Sequence, residues 1–346
     1  MRVAARLRSL ALGPLLVGLA MTGASAQVLR FSDLEGWAAD DHRAALATFN
    51  DTCPQLNDPD WSPICRLAPD AMTSDAAARS FFELLFRPVQ IGDPPALFTG
   101  YYEPELEGAA QRSARFAYPI YARPDEVQDG ERWLSRLEIE QSGVLRNRGL
   151  EIAWLEDPVD VFFLQIQGSG RIRLPNGSII RAGYDGRNGY AYRSVGRELV
   201  RQGIFMPSQV SAQVIKNWVR DNPDAGRVLL QHNPSFIFFR RLPDLPPEKG
   251  PIGAMGRSVT TMRSLAVDPE YTQLGAPVWL EKDGQNPLRR LMVAQDTGGA
   301  IKGAQRADIF FGTGEQAGRD AGSVRDGGRM IVLLPIERAF AQMSEG

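Results

Sequence analysis

Two carboxylates, Asp296 and Asp308, stand twelve positions apart around a glycine-bearing loop, and they are the strongest catalytic candidates in the sequence. The chain has only two histidines and two cysteines, so the usual general bases and soft metal ligands are scarce. Asp and Glu must therefore carry most of the acid–base chemistry, and we predict no metal site.

The residues around Asp308 indicate how it could act as an acid. The apolar residues 309–311 follow it, and burial among them would raise its pKa and keep it protonated near neutral pH. A protonated carboxyl can donate a proton to a glycosidic oxygen. The charge of Asp296 would act in the same direction, whereas Lys302 would oppose it if its side chain pointed inward. An Asp in a glycine-rich turn also commonly caps backbone N–H groups, and that alternative stays open.

A second candidate feature is the run 159–167, which alternates as a strand would. On a strand, Phe163, Gln165 and Gln167 share one face. Two amides and an aromatic ring suit a sugar, because amides donate and accept hydrogen bonds at once. The glycine turn at 168–170 would let a ligand approach the backbone closely. A solvated outer strand face would give the same pattern.

Segments 99–104 and 183–189 combine turn formers with tyrosines and carboxylates. Tyrosine rings stack on sugars while their hydroxyls form hydrogen bonds. A structural turn with an interfacial tyrosine is the alternative for each segment. The glycine-bearing segment 312–318 misses the G-x-G-x-x-G spacing, and no βαβ pattern surrounds it, so nucleotide binding is excluded.

Composition indicates a folded chain with a sizeable core. It has 346 residues, 43% hydrophobic content and a formal net charge of −2, which fit two domains or one elaborate domain. No long basic run follows the N-terminus, so we expect no nucleic-acid partner. A neutral, polar partner fits this composition better.

Residues 1–26 combine a basic start, an apolar stretch and an A-x-A site, as in a secretory signal. An uncleaved N-terminal anchor is the alternative. Export to an oxidising compartment would allow Cys53 and Cys65 to pair, although two buried free thiols fit the sequence equally well. No cysteine lies at the cleavage point, so lipid attachment there is not available.

The pattern of elements is mostly β. Helices are predicted at about 32–49 and 73–86, and again only between 194 and 230, where Val210, Val214 and Trp218 form one apolar stripe. A proline-rich linker is predicted at 243–250. Strands are predicted, with no helix in the C-terminal third, at 233–240, 264–267, 277–280, 288–295, 307–311 and 329–334.

Taken together, these segments resemble the MltA-type lytic murein transglycosylases, and the C-terminal part is similar to the three-aspartate (3D) domain. Asp268, Asp296 and Asp308 fall on the three aspartates of the family, and Asp308 falls on its catalytic acid. The similarity extends from about 98 to 335 through T-G-Y-Y-E-P at 99–104, Y-P-I-Y at 118–121, S-R-L-E-I at 135–139, F-L-Q-I-Q-G-S-G at 163–170, G-Y-D-G at 183–186, R-S-L-A-V-D-P at 263–269 and the two-aspartate run.

The resemblance implies a mainly β fold with a few helices. A double-psi β-barrel would form from residues 27–104 and 241–346, with the 3D domain at 251–336. A smaller β-rich domain would be inserted at 105–240, and the glycan would lie in the groove between the two. We predict that the substrate is bound by Thr99, Gly100, Tyr101, Glu103, Gln165, Gln167, Gly168, Ser169, Tyr184, Asp185, Thr297 and Gly298.

The resemblance also implies an exo-acting lytic transglycosylase, a lyase without cofactor. It would cleave the β-1,4 bond between N-acetylmuramic acid and N-acetylglucosamine without water and leave a 1,6-anhydromuramic end. Asp308 would protonate the leaving oxygen and then accept the proton of the muramic C6 hydroxyl, with Asp296 and Asp268 in support. Proximity of that tethered hydroxyl explains why one carboxyl can suffice, whereas an ordinary glycosidase needs two.

Two alternatives to this reaction stay open. One is a peptidoglycan hydrolase in which Asp296 activates water, and the other is a non-catalytic peptidoglycan-binding protein. We expect a periplasmic monomer whose partners are peptidoglycan glycan strands and, as a further class, other cell-wall enzymes. Several relatives are lipoproteins, and the missing cysteine places outer-membrane attachment in doubt.

Overall fold

The structure is a computed structural model that describes residues 26–344, with side chains described as far as residue 341. The predicted secretory signal at 1–26 lies outside the described residues, apart from Ala26, which begins the first strand. None of the helices between residues 26 and 344 has the length and apolar character that crossing a membrane requires.

The strands of this part of the chain are β1 (Ala26–Val28), β2 (Phe86–Ile91), β3 (Leu97–Glu103), β4 (Glu105–Ala109), β5 (Tyr118–Tyr121), β6 (Glu151–Leu155), β7 (Gly170–Arg173), β8 (Ile179–Arg187), β9 (Ile237–Arg241), β10 (Ser264–Val267), β11 (Pro277–Lys282), β12 (Leu288–Thr297), β13 (Arg306–Thr313), β14 (Arg325–Asp326) and β15 (Gly328–Pro335). The helices are α1 (His42–Thr52), α2 (Ser62–Leu67), α3 (Asp75–Leu85), α4 (Arg136–Ser142), α5 (Pro158–Gln167), α6 (Val195–Arg201), α7 (Ala212–Asp221), α8 (Pro223–Gln231), α9 (Gly314–Ser323) and α10 (Ile336–Ser344).

The strands form two mixed sheets. Nine lie in the order β1-β2-β15-β11-β12-β10-β13-β3-β14, and six lie in the order β5-β6-β4-β7-β8-β9. The pairs β10/β12, β13/β3 and β4/β7 are parallel, and the other pairs are antiparallel. The first sheet draws on both ends of the described chain and the second on its middle, so the fold is sheet-rich with helices, as predicted.

Helices α1–α3 pack against the nine-stranded sheet around a cluster of aromatic rings. Phe49 of α1 lies within 6.2 Å of Trp61 and 5.9 Å of Phe86, measured between ring centroids, and all three side chains are fully buried. Cys53 and Cys65 form a disulfide beside this cluster, with a Cα–Cα distance of 5.5 Å. Of the two alternatives that the sequence left open, the structure thus has the disulfide, which ties the end of α1 to α2.

The predicted opening helix at 32–49 is wrong in its first half. Gly36 has a left-handed φ of 77°, which interrupts any helix, and α1 begins only after Asp41, whose carboxylate accepts the N–H of Ala44. The helix predicted at 73–86 is confirmed as α3, capped by Ser74.

The five strands predicted beyond residue 250 are confirmed as β10, β11, β12, β13 and β15, whereas the expectation of no helix in this third is wrong. Helix α9 was missed because its buried contacts are Ala317 and Ala321, whose small side chains give little periodic hydrophobicity. Helix α10 follows the last strand. Helices α4 and α5 also lie outside the predicted helical stretch, and strand β9 begins four residues later than predicted.

Helix α7 is present, but its buried face differs from the predicted stripe. Its buried side chains are Ile215 and Val219, while Val210 and Trp218 are only partly buried. Because the helix begins after the Ser211 cap, Val210 precedes it and does not continue its apolar face.

Glu103 lies where the chain leaves the nine-stranded sheet for the six-stranded one. Its side chain is 1% exposed. Arg181 donates to Oε1 at 2.7 Å, and Arg171 and Thr313 each donate to Oε2 at 2.8 Å. Both arginines also donate to the carbonyls of the return linker at 246–249. Glu103 therefore joins the two sheets and both crossings between them, and its contact with substrate stays a prediction.

Replacing Glu103 tests this junction. Glu103→Gln removes the negative charge and leaves two largely buried guanidinium groups without a counter-ion, so we expect the free energy of unfolding to fall by about 3–5 kcal/mol. Glu105→Gln is the matched control, since Glu105 pairs with Arg173 at the surface and should change stability by about 1 kcal/mol or less. Urea unfolding measures both, and equal effects in the two variants would contradict the assignment.

Candidate active site

Three neighbouring strands bring Asp296 and Asp308 into one row. Ala266 of β10 pairs with Asp296 of β12 on one side and with Asp308 of β13 on the other. Paired residues point to the same face of a sheet, and adjacent strands lie about 4.8 Å apart. The two carboxylates therefore project from one face, two strands apart, with only an alanine side chain between them.

Asp296 is surrounded by hydrogen-bond donors. Its Oδ1 accepts the N–H groups of Ala254 and Thr297, each at 2.9 Å, and its Oδ2 accepts the hydroxyl of Tyr101 at 3.1 Å. Burial raises the pKa of Asp296 to about 6 against the opposing effect of these donors, and the charge of Asp308 adds to the rise. Asp296 therefore titrates close to neutral pH.

Asp308 receives a hydrogen bond from a threonine that also contacts an arginine. The Thr99 hydroxyl donates to Oδ1 of Asp308, and Nη2 of Arg306 donates to the Thr99 oxygen at 2.8 Å. Because a guanidinium only donates, Thr99 accepts from Arg306, and its own hydroxyl proton is available to Asp308. In this arrangement Oδ1 is an acceptor, and a proton on the Asp308 carboxyl stands on Oδ2.

Burial raises the pKa of Asp308, while the Thr99 hydrogen bond and the charge of Arg306 act against that rise. The apolar neighbours 309–311 follow it as expected, and residues 309 and 310 are buried. Asp308 itself remains partly exposed on the face of the sheet. A half-buried carboxyl with a raised pKa and a free oxygen can donate a proton to a ligand on this face.

Asp268, the third aspartate, acts on the loop between the other two. It is 2% exposed, and its oxygens accept the ammonium of Lys302 at 3.1 Å and the N–H of Gly303 at 2.8 Å. Although burial favours the neutral form, these donors hold the pKa of Asp268 below its ordinary value. Lys302 is therefore paired with Asp268 and is not directed at Asp308.

Strand β3 contributes alternate residues to opposite faces. Thr99 and Tyr101 lie on the face of Asp308, and burial raises the pKa of Tyr101 well above its usual value, so its phenol stays a donor. A Cβ at Gly100 would lie 2.7 Å from the Cα of Ala321 in α9. Gly100 thus allows α9 to pack on β3, and its contact with substrate stays a prediction.

The run 159–167 is helix α5, and its prediction as a strand is wrong. Asp157 caps the helix by accepting the N–H of Val159, Pro158 occupies the first turn, and Gly168 ends the helix with a φ of 77°. These signals are present in the sequence. The apolar, β-branched and aromatic residues between them imitate a strand.

The helix separates the residues that a strand would have placed on one face. Residues two apart on a helix differ by about 200° in direction. Gln165 is buried and accepts a hydrogen bond from Arg136, and Ser169 is also buried. Gln167 alone turns toward β3, where its Oε1 accepts the N–H of Tyr102 at 3.1 Å, with Gly168 beside it. The predicted amide face does not exist.

The end of β8 and the segment after it lie close to the loop that follows Asp296, and the residues that make this approach were not predicted. A Cβ at Gly299 would lie 3.8 Å from Nη1 of Arg187 and 3.9 Å from the Cβ of Tyr192. Tyr184, which was predicted, is 47% exposed on the same strand as Arg187. We use the term groove for the space between the aspartate row and this end of β8.

The remaining predicted residues lie beside these features. Thr297 is the last residue of β12, and Gly298 begins the loop that leads from Asp296 to Lys302 and Gly303, the two residues that bind Asp268. Asp185 follows Tyr184 on β8, and its carbonyl accepts a hydrogen bond from Arg123. Within residues 26–344 no cluster of three His, Cys, Asp or Glu side chains is placed to hold a metal ion.

Comparisons with known proteins agree with this geometry. The family model described as the MltA specific insert domain matches residues 97–240, and the 3D domain model matches residues 263–334. The solved membrane-bound lytic murein transglycosylase of Agrobacterium tumefaciens is 34% identical, with a TM-score of 0.84, and the alignment covers 92% of this chain and 99% of that one.

Two proteins from Escherichia coli are also similar to this chain. Membrane-bound lytic murein transglycosylase A of strain K12 is 39% identical over 245 residues, covering 68% of this chain. The chain thus matches only 65% of the length of that curated relative. The crystal structure of E. coli MltA with bound chitohexaose is 28% identical, with a TM-score of 0.72 and coverage of 90% of this chain and 94% of that one.

The raised pKa of Asp296 implies a stability cost. Its folded pKa of about 6 exceeds the usual 3.8, so the folded state holds the proton more tightly, and stability falls as pH rises between these values. Asp296→Asn keeps an acceptor and removes the charge, so we expect it to be more stable than wild type above pH 6, by on the order of 2 kcal/mol. Near pH 4 the two should unfold alike. Thermal unfolding at both pH values measures this, and a variant that is less stable at pH 7.5 would contradict it.

The Thr99 hydroxyl is expected to lower the pKa of Asp308. Thr99→Val removes a side-chain donor to Asp308 and should raise that pKa further, whereas Thr99→Ser keeps the hydroxyl and should restore the wild-type value. Carboxyl-carbon NMR titration of Asp308 measures the shift. An identical titration in the valine variant would rule out this relay from Arg306.

Proposed function

The chain belongs to the MltA family of membrane-bound lytic murein transglycosylases, and on that premise we propose that it cleaves the β-1,4 bond between N-acetylmuramic acid and N-acetylglucosamine in peptidoglycan, leaving 1,6-anhydromuramic ends. The observation that carries the proposal is the row of Asp296, Ala266 and Asp308, in which two half-buried carboxyls with raised pKa values share one face. The solved E. coli relative with chitohexaose supports a glycan as ligand.

The proposed division of the chain has a catalytic part and an insert. Residues 27–104 and 241–346 would form the catalytic domain, with double-psi topology and the 3D domain at 251–336, and residues 105–240 would form the insert. The separation of the two sheets supports this division, as do the parallel pairs β10/β12 and β13/β3 inside an otherwise antiparallel sheet. The glycan would lie in the groove.

In the first step, Asp308 donates the proton on Oδ2 to the glycosidic oxygen. The bond between that oxygen and C1 of the muramic ring breaks, its electron pair stays on the leaving oxygen, and positive charge develops at C1. Thr99 holds Oδ1 and so directs the protonated oxygen toward the substrate. General-acid catalysis of this kind contributes about 10²–10⁴ in rate.

In the second step, the Asp308 carboxylate accepts the proton of the muramic C6 hydroxyl while its oxygen bonds to C1. The ring closes to the 1,6-anhydro product, and Asp308 regains its starting proton. The hydroxyl belongs to the reacting sugar, so proximity replaces a second catalyst. No water enters the reaction.

Asp296 would stabilise the positive charge at C1, and Asp268 would hold the loop. Three donors already point at the Asp296 oxygens, so most of the lone pairs that could accept a proton from water are occupied. This arrangement favours the transglycosylase over the hydrolase with two carboxylates. Substrate contacts are proposed for Thr99, Tyr101, Gln167, Gly168, Tyr184, Asp185, Thr297 and Gly298.

We further propose that the protein acts in the periplasm, as an exo-acting monomer on glycan strands and without a cofactor. The predicted signal at 1–26 supports export, and relatives are named as membrane-bound. Other cell-wall enzymes are proposed as partners on the same basis.

Mass analysis of the products tests the reaction. Peptidoglycan digested by the wild type should yield muropeptides one water lighter than hydrolytic ones. Asp308→Asn should reduce the rate about a thousandfold, because it removes the proton donor, while still binding glycan. Asp296→Asn should yield the same anhydro products more slowly.

Three outcomes separate the candidate functions. Anhydro products from the wild type support the proposal. Hydrated products that require both aspartates would assign a hydrolase, and glycan binding without any products would assign a binding protein. Glu105→Gln serves as the folded control with an intact aspartate row.

A further inference from the structure

The segment that begins at the end of β8 carries three exposed arginines. Arg187, Arg193 and Arg197 have exposed side chains and form no ion pair within residues 26–344. Most other cations near them do: Arg123 pairs with Asp129, and Arg201 pairs with Glu198. Segment 187–197 thus presents net positive charge.

Arg187 is the member of this group that lies next to the loop after Asp296. Its Nη1 lies 3.8 Å from the position that a Cβ would take at Gly299. Gly299 is three residues after Asp296, and three residues of chain span at most about 11 Å. The guanidinium therefore stands at the edge of the groove, close to the aspartate row.

Two tyrosines lie near these arginines. Arg187 acts on the pKa of Tyr184, opposing the rise caused by burial, and Arg197 acts in the same way on Tyr192. Each of these arginines thus lies near a tyrosine, and Tyr192 also lies beside Gly299 at the edge of the groove. An aromatic ring beside an unpaired guanidinium suits a ligand with a sugar ring and an anionic substituent.

Charge balance indicates why an anionic ligand would need such a cation. The groove floor carries Asp296 and Asp308, which repel negative groups whenever they are ionised. Peptidoglycan differs from a neutral chitin oligosaccharide because the lactyl group on its muramic ring carries a carboxylate, either its own or those of the attached stem peptide. An unpaired guanidinium at the rim offsets this repulsion and can bind a carboxylate through two parallel N–H groups.

We propose that Arg187 binds a carboxylate carried on the lactyl substituent of the muramic acid, so that the protein prefers peptide-bearing glycan over neutral glycan. The inference rests on the proposed function and specifies the substrate class of the same groove. Arg187 is a specificity-determining residue here and takes no part in proton transfer.

Binding measurements in an Asp308→Asn background test this, because that variant should hold its ligands without cleaving them. Three ligands are compared. Chitohexaose is neutral, glycan strands stripped of peptide carry lactyl carboxylates, and the third ligand is strands with intact stem peptides. We expect Arg187→Gln to reduce the ratio of affinity for peptide-bearing strands to affinity for chitohexaose about fivefold. Arg187→Lys keeps the charge without the planar fork and should retain part of the ratio.

Arg43→Gln is the matched control. Arg43 is exposed at the start of α1. The aspartate row lies near the opposite end of that helix, where Thr52 contacts Gln295, the residue before Asp296. Its loss should leave every ratio unchanged. In the Asp308→Asn background, added salt should weaken the preference for peptide-bearing strands when Arg187 is present and should not change it in Arg187→Gln.

The outcomes are distinct. If stripped and peptide-bearing strands lose affinity equally in Arg187→Gln, the bound group is at the lactyl position, and a loss confined to peptide-bearing strands assigns it to the stem peptide. An unchanged ratio in Arg187→Gln overturns the inference. Turnover of peptidoglycan by the protein with Asp308 intact tests the proposed function separately, so the two failures are distinguishable.

Discussion

The buried ion pairs of Glu103 are the constraint on which the groove depends. The chain passes between its two sheets twice, at 103–105 and through the linker at 243–250, and Arg171 and Arg181 bind one carboxylate and the linker carbonyls together. Removing charge from water is costly, so a buried carboxylate is stable only when cations pair with it. Because Thr313 of β13 donates to the same carboxylate, this pairing holds the six-stranded sheet against β13, and with it Arg187 near the loop that follows Asp296.

The aspartate row shows how the sheet creates reactivity that neither residue has alone. Placing β10 between β12 and β13 brings two carboxylates onto one face, and burial raises both pKa values. The same arrangement costs stability at neutral pH, because the folded protein then holds an unfavourable charge. Carboxyls with perturbed pKa values are common at functional sites, and this pair lowers stability in the part of the sheet where the proposed reaction takes place.

Sequence reasoning succeeded where local patterns and tertiary contacts agree. The strands of the C-terminal third alternate as buried strands do, and the cysteine pair lies at a separation that a disulfide permits. It failed at α5, where the Asp-Pro start and the glycine end of a helix outweigh a strand-like composition. The packing of α9 against Gly100 was likewise not visible in the sequence. Gln165 and Glu103 are polar in sequence, yet their partners lie far along the chain and bury them.

The sequence by itself determined the chemistry that is available: few histidines, an aspartate pair around a glycine loop, and the motifs of a glycan-cleaving family. Only the tertiary structure decided which polar groups face the groove. Strand register sets Ala266 between the two aspartates, and it also brings Thr99 to where it accepts from Arg306 and donates to Asp308. Burial and pairing across distant segments control whether a carboxylate reacts or merely supports the fold, and these depend on contacts that no local pattern encodes.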